Sequence, residues 1–250
     1  LLLPLPGGQQ HLEDHPDIAG YKPDIVINSA GYGITDVLNF QVEAESATER
    51  VMQYLRRNQG KNCALFSFFR RSLLGELVEL VNGHHPTRAG HTDWSTVLAL
   101  VSTGKLLSDK STLLVYNNTN WTTQEQVDAS NRRIFTKVGL SERSRHFVSL
   151  FMGLDSFILI ARSTSPVERA ERLQAGTLAM HLMFQQLAKV ADRSEMSPKE
   201  SLAVDMLGAG DNLKTMLRDG IKLVELHCPE LVERYQAFYR ASLELSWGSY

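Results

Sequence analysis

The chain alternates short, continuous apolar runs with longer stretches in which apolar residues recur every three or four positions. The first pattern reads as buried strands and the second as helices. Asp24-Ile-Val-Ile-Asn28 is a strand of this kind, followed by the loop Ser29-Ala-Gly-Tyr-Gly33. Cys63 to Phe68, Thr112 to Tyr116 and Phe157 to Ala161 are further strands, and Leu1 to Leu5 ahead of Pro6-Gly7-Gly8 is a first strand with its turn. Between them lie helical segments. One covers Val42 to Asn58, one runs through Leu73, Leu74, Leu77, Val78 and Val81, and one carries Val97, Leu98, Leu100 and Val101 behind a Thr92/Asp93 cap. Thr122 and Glu125, at capping-box spacing, open a fourth that ends near Val138. Strands separated by helices require crossover connections, which implies parallel pairing with helices on both faces. The expected fold is therefore an α/β, Rossmann-like three-layer core over residues 1–164.

After Ala161 the period becomes helical for good, and residues 165–250 read as an α-helical C-terminal region. Ser165-Pro166-x-Glu168 and Ser197-Pro198-x-Glu200 are near-identical helix starts, with a serine cap, proline in the first turn and glutamate reaching back. Cys228-Pro229-Glu230 repeats the theme. In the first of these helices Ala170, Leu173, Thr177, Met180, Phe184 and Leu187 form a stripe that Leu178, Leu182, Met183 and Val190 widen. One neighbour cannot cover so broad an arc, so the helix must pack between two others or against a partner. His181 beside the stripe, and Tyr235, Phe238 and Tyr239 on the last helix, read as structural.

Composition narrows the function classes. Of 250 residues, 43% are hydrophobic and 22% charged, which excludes wholesale disorder. A net charge of −2 gives no electrostatic footprint for nucleic acid or an anionic membrane. No apolar stretch reaches membrane-spanning length by this reading. Cys63 and Cys228 form no disulfide framework, which points to a reducing, cytoplasmic compartment. The chain opens at Leu1, which leaves room for a leader or an element upstream.

In an open parallel sheet, ligands bind where the strands end, because loops diverge there and helix N-termini point inward. Those ends carry Asn28, Ser29, Gly31 and Gly33; Arg70 and Arg71; Asn117, Asn118, Asn120 and Trp121; and Ser163, Thr164 and Ser165. The glycines allow close backbone approach, the arginines suit a bidentate anion clamp, and Trp121 could stack on a flat ring. These groups suit a phosphate, a carboxylate or a sugar, with a phosphate-bearing small molecule among the expected ligands.

Asn28-Ser-Ala-Gly31 resembles the Asn-Asn-Ala-Gly stretch of short-chain dehydrogenases, in which the asparagine stabilises a central strand. Too few residues precede it for a glycine-rich cofactor loop and no Tyr-x-x-x-Lys follows, so hydride chemistry has no machinery. Asp205-Met-Leu-Gly-Ala-Gly-Asp211 resembles the signature of ribokinase-like sugar kinases, which implies a hydroxyl-activating Asp211. A helix starting at Ser197 leads into it where that chemistry needs a strand. Trp121-Thr-Thr-Gln-Glu125 is similar to a Trp-x-x-x-Glu pattern of some bacterial effectors. His84, His85, His91 and Asp93 cluster in sequence without helical pre-organisation and read as surface side chains rather than metal ligands, and His11 with His15 precedes Pro16. With no intact catalytic motif, the expected function is a binding or assembly component. Its α/β core would be nucleotide-binding-like, and its helical C-terminal region would dock on a protein partner or a second copy. The alternative is a small-molecule transferase acting on a phosphorylated or nucleotide-linked substrate at the strand ends.

Overall fold

The computed structural model describes residues 12–29, 31–87 and 91–243; the Leu1–Leu5 run and His11 lie outside them. The sheet is small and mixed. Strand β1 (Ile18–Ser29) is central. β2 (Gly33–Leu38) folds back antiparallel along its second half, from Ile25↔Leu38 to Ser29↔Gly33. The two-residue β3 (Phe68–Phe69) pairs antiparallel at Gly20 and Tyr21. Only β4 (Lys105–Asn117) runs parallel to β1, from Ile18↔Lys105 to Asn28↔Asn117. The three-layer parallel arrangement is thus replaced by a hairpin with one crossover strand. Gly31 and Gly33 hold φ of 82° and 72° in the hairpin turn, a left-handed conformation that glycine adopts without strain.

Two runs read as strands are something else. Cys63–Phe66 is a 3-10 turn, leaving only Phe68 and Phe69 to pair. Phe157 to Ala161 ends a helix. The helices are α1 (Ala47–Arg57), α2 (Arg71–His84), α3 (Thr92–Thr103), α4 (Gln124–Lys137), α5 (Val148–Ala161), α6 (Arg169–Val190), α7 (Pro198–Ala209), α8 (Leu213–His227) and α9 (Val232–Leu243). Every residue of α5 from Leu150 to Ala161 is buried, because α3, α6, α8 and α9 all pack on it. A helix covered on all sides loses its amphipathic period and reads as an apolar run, which periodicity alone cannot tell from a strand. The helical run Glu142–Ala161 also has the length and hydropathy of a membrane span, but 78% of its most apolar 18-residue stretch is buried inside the protein, as in a core helix.

The α6 stripe is covered in part inside the chain, while Leu173, Thr177, Leu178 and Leu182 stay half-buried and Ala170 and Val190 exposed. Ala175, Gly176, Ala179, Met180, Met183, Phe184 and Leu187 are buried where α6 lies among α1, α5 and α7. One hydrophobic cluster runs from Val42 to Leu243, on both sides of residues 164/165, and a smaller one of Ile25, Ile27, Leu38 and Cys63 sits under the far end of the sheet. Buried cations tie the layers. The Arg50 guanidinium donates to Val101 O at 3.0 Å and Ser102 O at 2.7 Å, capping the end of α3. Arg162 donates to Glu76 at 2.7 Å.

Helix starts follow local chemistry to within a few residues. At Ser197 the capping box forms as expected, with Ser197 Oγ accepting from Glu200 N and the Glu200 carboxylate accepting from Ser197 N. At α4 the box shifts by one residue to Thr123 and Gln126. At α6 the cap is Glu168 itself, accepting from Ala170 N and Glu171 N, while Ser165 only closes the preceding turn. Helix α7 continues through Asp205 and Gly208 to Ala209, and Asn212, rather than Asp211, caps α8.

Candidate functional site

Two of the strand ends meet. Asn28 and Asn117 are register partners at the tips of β1 and β4, and Asn118 N donates to Asn28 O at 2.9 Å. Ser29 is buried beside them, with Gly31 and Gly33 in the adjoining turn. The Asn117 carboxamide is committed to an Asx turn, accepting from Thr119 N at 3.0 Å. Half-buried Trp121 closes the 3-10 turn Thr119–Trp121 that leads into α4.

Arg70 and Arg71 are not at this rim. β3 pairs with the opposite end of β1, roughly 26 Å away along eight residues of strand. There the Arg70 guanidinium donates to the Leu12, His15 and Ile18 carbonyls, and Arg71 begins α2, exposed. Ser163 follows a helix, not a strand, and donates through N and Oγ to Ser242 O at 2.8 and 3.2 Å. An anion clamp assembled from all these positions does not exist, because β3 is antiparallel to β1 and the run before Ser163 is helical.

What the tip does present is an apolar face and an open edge. Register places Val26, Val37, Ile34, Leu113 and Val115 on one side of the sheet. Ile34 is 69% exposed, Leu113 and Val115 62% each, and Val37 52%. The opposite side, with Ile25, Ile27, Leu114 and Tyr116, is packed. β4 is the outer strand. Val42 covers it at Leu106, and the Gln41 carboxamide accepts from Ser108 N at 3.0 Å. Then the register jumps from Pro23↔Asp109 to Asp24↔Leu113, so the strand bulges before its last five residues. From Thr112 to Asn117 no further strand lies beside it among the described residues. Because Asn118 N points to β1, strand alternation turns the peptide groups of Leu113, Val115 and Asn117 outward.

Next to the tip, Asn120, Gln126, Ala129, Ser130 and Arg133 line a cleft of about 270 Å³.

Two histidines with buried side chains stand between a hydroxyl and a carboxylate, the first hydrogen-bonded to both and the second hydrogen-bonded to its hydroxyl alone. His85 Nε2 lies 2.9 Å from Asp155 Oδ2 and its Nδ1 lies 3.3 Å from Thr87 Oγ1. His227 Nε2 lies 3.1 Å from Ser144 Oγ and its Nδ1 3.4 Å from Glu200 Oε1. Burial holds the His227 imidazole below its usual pKa, against the pull of Glu200. A nucleophilic triad needs its hydroxyl where a substrate can reach it. Ser144 has no exposed surface and Thr87 is 3% exposed, so these are internal struts. Of the histidine cluster expected at the surface, only His84 is exposed. His91 is half-buried, lies 3.0 Å from Asn131 and is held below its usual pKa by burial. Among the described residues no three His, Cys, Asp or Glu side chains converge as metal ligands. Burial also pushes the Cys63 and Cys228 thiols up to about 11, leaving both protonated and unreactive at neutral pH. No family model matches the chain, and neither a curated protein nor a solved structure resembles it.

Proposed function

We propose that the protein is an assembly component, and that the sheet tip pairs with the tip of a second copy. The observation that carries this reading is the strand Thr112-Leu-Leu-Val-Tyr-Asn117, whose outer edge no strand covers among the described residues, with Leu113 and Val115 exposed on an apolar face. Proteins that work alone blunt such an edge with charge, proline or a covering element, because unpaired peptide groups are a template for another strand. No charged residue or proline occurs between Thr112 and Asn117, so a two-fold axis brings no like charges together.

Antiparallel pairing about Val115 sets Leu113 across from Asn117 of the second copy, and Leu114 across from Tyr116. Aliphatic and aromatic partners meet on the packed side, while the exposed apolar faces of the two copies join into one. The route differs from docking through α6, whose Met180, Met183, Phe184 and Leu187 are buried within the chain. A heterologous extended segment is the rival occupant.

Both native cysteines are buried, so Val115→Cys introduces an accessible thiol at the axis. Register-opposed residues bring Cα atoms to about 5.5 Å, within disulfide range. Mild oxidation is expected to link two copies through Val115→Cys and not through Val190→Cys at the end of α6. Equal yields from the two variants, or no covalent dimer from the first, contradict self-pairing.

A further inference from the structure

The cleft beside the sheet tip has a donor set that the assembly reading does not use. Arg133 and Arg132 are sequence neighbours with different circumstances. Arg132 Nε lies 3.3 Å from the Glu142 carboxylate, whereas no carboxylate pairs with Arg133 among the described residues. Among the described residues no acidic side chain lines the cleft. Gln126 has a fixed orientation, because its Oε1 accepts from Thr122 N at 3.2 Å and Thr123 N at 3.1 Å. That leaves the Nε2 hydrogens as the uncommitted end of the amide. Ser130 Oγ donates to Asn120 O at 3.3 Å, which ties the 3-10 turn to α4 and fixes the separation of the two walls.

An arginine fork, an amide turned donor-outward and the Asn120 carboxamide make a wall rich in donors, with the Ala129 methyl as its apolar floor. Arg133 is the one charged side chain among the described lining residues, which favours an anion over a cation, and the Asn120 carboxamide oxygen and Ser130 Oγ remain as acceptors for a ligand hydroxyl. The volume exceeds that of a bare oxyanion and falls just below the usual range for drug-sized ligands. We propose that this cleft binds the oxyanion of a small phosphomonoester, held bidentately by Arg133 and oriented by Gln126 Nε2 and the Asn120 amide.

The site is read by NMR titration of the side-chain Nε–Hε of Arg133 and the NH₂ groups of Asn120 and Gln126. The probes are inorganic phosphate, glycerol 3-phosphate and acetate. The proposal expects saturable shifts at these groups, tighter for glycerol 3-phosphate than for inorganic phosphate. Arg133→Gln is expected to weaken binding about tenfold or more, while Arg132→Gln leaves it unchanged. Acetate binding as tightly as glycerol 3-phosphate overturns the assignment to phosphate. Shifts that never saturate, or that persist in Arg133→Gln, overturn the site itself. Circular dichroism of both variants verifies that the exposed substitutions leave the fold intact. Neither result bears on self-pairing, which is measured without ligand.

Discussion

His85 Nε2 stands 2.9 Å from Asp155 Oδ2, and neither side chain has any exposed surface. The pair joins the segment after α2 to the centre of α5, across 70 positions of sequence. The Phe238 ring meets the imidazole edge-on at 5.4 Å. Burial, reinforced by the Asp155 charge, pushes the neighbouring Tyr235 phenol well above its usual range. Removing one member of such a pair leaves the other buried without its partner. His85→Ala and Asp155→Ala are therefore each expected to cost about 3–5 kcal/mol. The double variant is expected to cost clearly less than their sum, as read by urea denaturation in a double-mutant cycle. Additive losses contradict the coupling.

Lys22 is a second buried charge, and its linkage to pH has a definite sign. Its Nζ donates to Leu38 O and Pro23 O at 2.9 Å each and lies 4.9 Å from the Phe40 ring centre. It fastens the segment that crosses from β2 to the outer side of β4. Burial lowers its pKa to about 8, outweighing the nearby Asp24. Between about pH 8 and 10.5 the unfolded chain keeps a proton that the folded protein has released, so this group makes stability rise with pH. The full contribution is roughly 3 kcal/mol. Buried thiols and phenols act in the opposite sense at the top of this window, so the quantity to measure is wild type minus Lys22→Met. That difference in urea stability is expected to grow from pH 7.5 to 9.5. A flat difference shows that Lys22 titrates normally.

The tip of the sheet was legible in the sequence, and its base was not. Asn28 and Asn117 end strands whose apolar runs and polar punctuation mark them, and they do meet. Arg70 would join them only if every apolar run were a parallel strand. Cys63 to Phe68 breaks that rule, because Asn62 and Ser67 bracket a 3-10 turn and only Phe68 and Phe69 pair. Phe157 to Ala161 breaks it because α5 is covered on every side. The exposed character of Leu113 and Val115 was hidden as well, since a run such as Leu-Leu-Val reads as buried on both faces. His85 had no sequence signal linking it to Asp155, because such pairs are chosen by packing rather than spacing.

Gly20 tests the pairing that carries Arg70 away from the tip. A Cβ there would stand 2.4 Å from Phe68 O and 2.8 Å from the Phe69 ring. The first of these is backbone and cannot swing aside. Gly20→Ala is expected to lose about 1–3 kcal/mol through separation of β3 from β1, measured by thermal or urea unfolding. An unchanged midpoint means that β3 does not lie against β1 as described.

Self-pairing through β4 is the central claim, and sedimentation velocity over a concentration series tests it most directly. The wild-type protein is expected to shift from monomer to dimer as concentration rises. Val115→Lys, at an exposed position, is expected to stay monomeric, with the unfolding midpoint of the wild type at concentrations where the wild type is itself monomeric. A wild-type chain that remains monomeric throughout, or a Val115→Lys variant that dimerises as well as wild type, contradicts the account.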